Sequence, residues 1–191
     1  MLLSFYDPIY YSAKTVSKQA PDVLMTNIFR NYKRYFDRVA KNYNLTTYYI
    51  QGSPRPETLS NTIYNNTQYY WILLFANNVY DPLHGWIKSQ EACYDSVAQE
   101  IENPETVISY HINIRNEKYY NLVESDRQEG WWYDKGDKFQ LHVQYKGTLV
   151  PVNAYEDAIL KNEEMRKIRI VNPVDLENFV ADFIKEMERN A

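Results

Sequence analysis

Ile63-Tyr64-Asn65-Asn66-Thr67-Gln68-Tyr69-Tyr70-Trp71-Ile72-Leu73-Leu74-Phe75-Ala76-Asn77-Asn78-Val79-Tyr80-Asp81-Pro82-Leu83-His84-Gly85-Trp86 is the stretch on which the fold turns. Asn66 or Thr67 can cap a helix, since either side chain can accept a hydrogen bond from an orphan N–H of the first turn. Tyr69 to Ala76 is almost wholly apolar, which predicts a helix covered on several sides. Asn77-Asn78 and Asp81-Pro82 stop it and turn the chain. A helix of two turns does not stand alone in water, so it belongs at the centre of a small domain or of a contact with another protein.

Working outward, Leu45 to Gln51 reads as a strand rich in Thr and Tyr, Gly52-Ser53-Pro54-Arg55-Pro56 as a turn, and Glu57 to Tyr64 as a short helix with Pro56 near its start. Upstream, Thr26 is placed to cap a helix over Asn27 to Tyr43. Its apolar residues Ile28, Tyr32, Tyr35, Phe36, Val39 and Tyr43 recur every three or four positions, and Arg30, Lys33, Arg34, Arg38 and Lys41 fill much of the other side. Such a side is either solvated or a basic docking face. Met1 to Asp22 holds Asp7-Pro8 and Pro21 with no clear period and reads as an extended arm. Its aromatics Phe5, Tyr6, Tyr10 and Tyr11 suit a segment that ties to a neighbour better than a disordered tail.

Downstream, Ser89 can cap a helix carrying Ala92, Cys93, Val97 and Ile101. Strands are predicted over Glu105 to Ile114, Lys118 to Val123, Phe139 to Tyr145 and Thr148 to Val152, with a turn at Lys146-Gly147. Asn153 can cap a helix from Tyr155 to Arg166, followed by a short strand at Lys167 to Val171. Asn172-Pro173-Val174-Asp175 is the clearest helix start in the chain, and Leu176, Phe179, Val180, Phe183, Ile184 and Met187 form the stripe behind it. The expected fold class is α+β: an N-terminal arm and basic helix over residues 1–44, a small helical module over 45–103, and a β-rich region over 104–191 that ends in an amphipathic helix.

Composition narrows the function. The chain has 191 residues, and 19 of them are tyrosine. Tyrosine buries a ring and keeps a polar tip, so it suits surfaces that are wet alone and covered in a complex. Residues 1–50 carry seven Lys/Arg and three Asp/Glu, whereas 51–191 carry 14 and 22. The basic part has no Lys/Arg run, so it points to an acidic protein partner and not to nucleic acid. Cys93 is the single cysteine, which excludes an intrachain disulfide and fits a reducing compartment. The N-terminus lacks the pattern of a secretory signal, and Tyr69 to Ala76 is far short of the roughly 18 apolar residues of a membrane span.

No chemistry-bearing motif emerges. His84, His111 and His142 fall in no metal-ligand spacing, and with one cysteine no zinc pattern exists. None of the five glycines is clustered, so there is no phosphate loop, Rossmann fingerprint or nucleophile elbow. Glu156-Asp157 and Glu163-Glu164 lie on a predicted helix among Lys161, Arg166 and Lys167, as on a solvated face. Trp131-Trp132-Tyr133 reads either as rings covering a sheet or as an aromatic platform for a partner protein or sugar. No catalytic residue, cofactor or metal is expected.

Several segments carry a family resemblance: Phe5-Tyr6-Asp7-Pro8, Met25 to Lys33, Thr47 to Glu57, the opening stretch through Ser89-Gln90-Glu91-Ala92, and the tail around Ile170-Val171-Asn172-Pro173 with Phe179, Val180, Asp182 and Phe183. The chain resembles the baseplate wedge proteins numbered fifty-three among the gene products of T-even-like contractile-tailed phages. That resemblance implies a non-enzymatic component of the tail baseplate in the virion, assembled in the host cytoplasm. Its implied task is to join wedges into a ring around the central hub, with other wedge proteins as partners and neither nucleic acid nor membrane. The expected partner surface is Phe5, Tyr6, Tyr10, Tyr11, Arg30, Lys33, Arg34, Arg38, Trp131, Trp132, Phe179 and Phe183. Tyr64, Tyr70, Trp71, Leu74, Asn77 and Asn78 also look like a LysM-type strand–helix–helix–strand module, whose core would hold Ile63, Tyr70, Trp71 and Leu74. The closing glycine, apolar residue and Ile-Pro of such modules do not follow Trp86. A peptidoglycan- or oligosaccharide-binding module is the alternative function.

Overall fold

The computed structural model describes residues 8–15, 17–26 and 31–189. The described residues form an α+β chain with ten strands and six α-helices, arranged as two compact units. The first unit comprises residues 1–86 and 166–191, the second residues 87–165.

The first unit is built on a strand–helix–helix–strand block. β1 (Pro8–Ser12) and β2 (Asp22–Thr26) form an antiparallel hairpin ahead of it. Helix α1 (Tyr32–Ala40) follows. Its cap is Asn31, whose side chain accepts from the Arg34 N–H. The extended arm expected over Met1 to Asp22 is thus a hairpin within its described part, and Thr26, expected as a cap, closes β2 instead. The register explains this: Ile9 faces Met25 and Tyr11 faces Val23, so β-branched and aromatic residues pair across the strands. The helix also stops three residues short of Tyr43.

β3 (Leu45–Tyr49), α2 (Pro56–Tyr64) and α3 (Tyr70–Ala76) come next. Asn65 ends α2 in the left-handed conformation at φ 53°, and Asn66 caps a 3-10 turn over Thr67–Tyr69 that leads directly into α3. The strand that pairs with β3 is β10 (Lys167–Val171), antiparallel, with Ile168 opposite Tyr48 and Ile170 opposite Thr46. A 3-10 turn at Pro173–Asp175, capped by Asn172, then opens α6 (Leu176–Arg189).

Phe36 of α1 is the hub of this core. Its ring lies edge-on to Phe179 at 5.1 Å, Phe75 at 5.6 Å, Phe183 at 6.3 Å and Trp71 at 6.4 Å. Edge-to-face contacts at these distances add to the burial term of each ring. Polar contacts hold the surroundings. The Tyr64 hydroxyl donates to the Val171 carbonyl at 3.0 Å, and Tyr43 donates to Asp182 at 2.7 Å. Asn77 donates to the Leu73 and Arg169 carbonyls and accepts from the Arg169 N–H, which ties α3 to β10.

The second unit has three layers. α4 (Gln90–Ala98), capped by Ser89, lies against α5 (Ala154–Glu164). β4 (Ile108–Ile112) is flanked by β5 (Lys118–Tyr119) and by β9 (Val150–Asn153), both antiparallel. A second sheet pairs β7 (Trp131–Asp134) with β6 (Leu122–Glu124) and β8 (Val143–Lys146). His111 on Trp132 at 4.7 Å and Tyr119 on Tyr145 at 4.8 Å join the two sheets face to face. The cap expected of Asn153 forms, and the Glu156 side chain completes it as a capping box. Three of the predicted strands are clearly shorter than expected: Glu105 to Ile114 forms only over Ile108–Ile112. Lys118 to Val123 breaks at Asn121, where φ is 58°, and Phe139 to Tyr145 starts only at Val143 because Gln140 takes φ 54°.

Candidate functional site

The described residues gather no His, Cys, Asp and Glu group able to hold a metal ion, and no described helix is long and apolar enough to cross a membrane. What the described surface does offer is large exposed apolar side chains.

The β1–β2 hairpin is the first of these. Ile9, Tyr11, Val23 and Met25 share one face by register, and Tyr10 and Leu24 the other. Tyr10 is 81% exposed and Leu24 56%, and Tyr11 and Val23 are exposed as well. A two-stranded hairpin has a hydrophobic core only if something else covers a face, and alone it is at best marginally stable in water. Lys14 pairs with Asp22 at 3.2 Å across its connection.

A second surface runs along α1. Arg34, Arg38 and Lys41 are exposed, and together with Asn31, Lys33, Asp37 and Tyr80 they line a shallow hollow. Lys33 is paired with Asp37, and Arg38 with Glu186 at 2.9 Å. Tyr80 opens a tight loop in which Asp81 accepts from the Leu83 N–H and contacts His84 Nδ1 at 2.5 Å. Those two hydrogen bonds, His84 first, hold the Asp81 carboxyl below its usual range. Gly85 is required there, because a Cβ would lie 2.9 Å from the Asp81 carbonyl oxygen. The loop thereby displays Tyr80 and Leu83 to solvent.

In the second unit Ile114 is 97% exposed on a turn fixed by the Asn113 side chain, which accepts from the Arg115 and Glu117 N–H groups. Phe139, 82% exposed, and Leu141 stand on the loop before β8, where Asp137 accepts from the His142 N–H.

The sequence-expected partner residues divide. Phe5, Tyr6 and Arg30 lie outside the described residues. Tyr10, Tyr11, Arg34 and Arg38 are exposed, and Lys33 is half-buried in its ion pair. Trp131 is half-buried with the Lys146 ammonium 4.0 Å from its ring centre. Trp132, Phe179 and Phe183 are not surface residues. Trp132 is buried and donates to the Gly147 carbonyl, and the two phenylalanines are fully covered around Phe36 and Trp71. Their apolar stripe is satisfied by their own chain, which removes them from the partner surface. Of the residues expected in the helical core, Trp71 and Leu74 are buried and Ile63 and Tyr70 half-buried. Sequence reasoning missed Ile114, Phe139, Leu141, Tyr80 and Leu83 as displayed side chains. Asn113 and Asn116 flanking Ile114 were the available turn signal, whereas nothing marks Gln140 as a left-handed position.

Among the described residues, four small sheets, a ring-packed helical block and several exposed large apolar side chains fit a class of protein that works through contacts and not through a catalytic pocket. The family described as "Base plate wedge protein 53" matches residues 1–186, and the chain belongs to that family. It is 51% identical to "Baseplate wedge protein gp53" of Enterobacteria phage T4 over 191 residues, which covers all of this chain and 97% of that relative. The chain is accordingly a structural protein of a phage tail baseplate.

Proposed function

We propose that this protein joins neighbouring baseplate wedges into the ring around the central hub during tail assembly, and that the β1–β2 hairpin is the part that reaches the neighbour. The observation that carries this reading is the hairpin with apolar residues on both faces and large side chains left in solvent. Burying about 25 cal/mol per Å2 of such surface in a partner gives the hairpin both its stability and its affinity. The basic hollow of α1, with Arg34, Lys41 and Tyr80, supplies residue types enriched at interfaces and favours an acidic neighbour. Other wedge proteins are the partners, in the virion baseplate, after assembly in the host cytoplasm. The protein performs no catalysis in this role.

Strand β3, helices α2 and α3, and strand β10 follow the strand–helix–helix–strand order of LysM-type modules, and we read them as such a block with residues 87–165 inserted before its last strand. Sugar binding is the weaker reading of that block: Trp71 is buried beside Phe183 at 5.2 Å, so its ring is not offered to a ligand.

The test removes Met1–Thr26 and complements a phage lacking its own copy. The shortened chain should remain folded by circular dichroism while wedges accumulate unjoined in electron micrographs. Normal baseplate rings from that variant refute the hairpin reading, and tight binding to cell-wall oligosaccharides would favour the alternative.

A further inference from the structure

Helix α5 covers the sheet of β4 and β9 incompletely. Val150, Pro151, Val152, Tyr155, Ile159 and Leu160 line an open apolar depression along it, and a second depression, bounded by Ile112, Lys118, Glu163 and Glu164, shares Val152 and Leu160 with the first. The two adjoin at these residues and together make up the trough along α5. Val150 is 56% exposed and Leu160 51%.

The chemistry of its edges selects the occupant. β9 is an outer strand of its sheet and would ordinarily template an added strand. Pro151 stands opposite His111 and has no N–H, so the backbone there offers a carbonyl only. The next outward donor, the Asn153 N–H, is taken by the Glu156 carboxylate at 3.1 Å in the capping box. An extended chain laid on β9 would find no backbone donors at these positions. A helix, whose backbone is internally satisfied, needs none and can bury an apolar stripe over Val150, Val152 and Leu160. Charge sets its flank. Glu156, Glu163 and Glu164 line the trough beside one cation, Lys118, while Asp157 is buried and paired with Lys161, and residues 87–165 carry 15 Asp/Glu against eight Lys/Arg.

We infer that this trough takes an amphipathic helix with a Lys/Arg-rich flank, supplied by another baseplate protein. The site is separate from the hairpin and rests only on the assembly role of the family.

The experiment uses the full chain in purified baseplates, with the photo-cross-linking residue p-benzoylphenylalanine in place of Leu160. We expect a cross-link to a different baseplate chain, mapped by mass spectrometry to a helical segment with basic residues beside its apolar stripe. Separately, Val150→Glu with Leu160→Glu should lower the yield of assembled baseplates about tenfold or more, the equivalent of ~1.4 kcal/mol, with the melting temperature unchanged. If that pair melts early, Glu164→Lys, an exposed charge reversal, should still lower the yield about threefold at full stability. A cross-link to a second copy of this chain, to an extended segment, or to no protein at all overturns the inference, as does full assembly by the folded variants. A missing cross-link while the hairpin deletion still leaves wedges unjoined counts against the trough alone, and a cross-link obtained while the deletion gives normal rings counts against the hairpin alone.

Discussion

The block around Phe36 and the β1–β2 hairpin use the same kinds of residue to opposite ends. In the block, Tyr32, Tyr64, Trp71, Phe179 and Phe183 are buried, and the rings of Trp71, Phe179 and Phe183 meet around Phe36. In the hairpin, Tyr10, Tyr11, Val23 and Leu24 meet solvent. The difference is topological. Four helices and two strands can enclose a common interior, whereas two strands have no third layer to close against. Aromatic richness in this chain therefore serves stability in one region and, under the proposed function, contact area in the other, and substitutions should separate the two.

The largest expected effect on stability falls on the block. Phe36→Ala removes the ring that four others touch and should cost ~3–5 kcal/mol, read by denaturant unfolding. A loss no greater than that of a surface change would break the comparison. Tyr64→Phe should cost about 1–2 kcal/mol in the same assay, because it leaves the buried Val171 carbonyl without its donor. Burial pushes the Tyr64 hydroxyl pKa upward, so this bond persists through the alkaline range used for assays.

A smaller effect follows from pH. Burial first, and the nearby Lys135 second, lower the pKa of His111. The folded state then holds fewer protons than the unfolded one once pH drops below the ordinary histidine value of about 6.5. The contribution is complete above that value and is lost as pH falls through the lower folded pKa. A melting series from about pH 7.5 to 5 should show this decline, and His111→Gln should flatten that part of the slope. An equal slope in the variant would remove His111 from the account.

Much of the fold was legible because local signals agreed with the tertiary outcome. Asn153 with Glu156, Ser89 before Gln90, and Asn172-Pro173 each cap the helix or turn start that their chemistry predicts. Two features were not legible. The partner of β3 arrives at Lys167–Val171 after the whole second unit, so a search just past Trp86 for a closing strand finds none. The hairpin reads as an extended arm in sequence because its strands are joined by nine residues, without a two-residue turn signal. The candidate surface was half legible. Tyr10, Tyr11, Arg34 and Arg38 lie outside, but an apolar stripe such as Phe179 and Phe183 reads the same whether it meets its own core or a partner.

The smallest expected change in stability comes with the largest expected change in assembly. Tyr10→Ser with Leu24→Ser should alter unfolding by no more than about 0.5 kcal/mol, since both side chains are solvated in the chain alone. The decisive measurement is electron microscopy of tails from phage carrying only this double variant. Folded protein with unjoined wedges is the expected result; complete, normally proportioned baseplate rings would show that the exposed hairpin side chains do not join wedges.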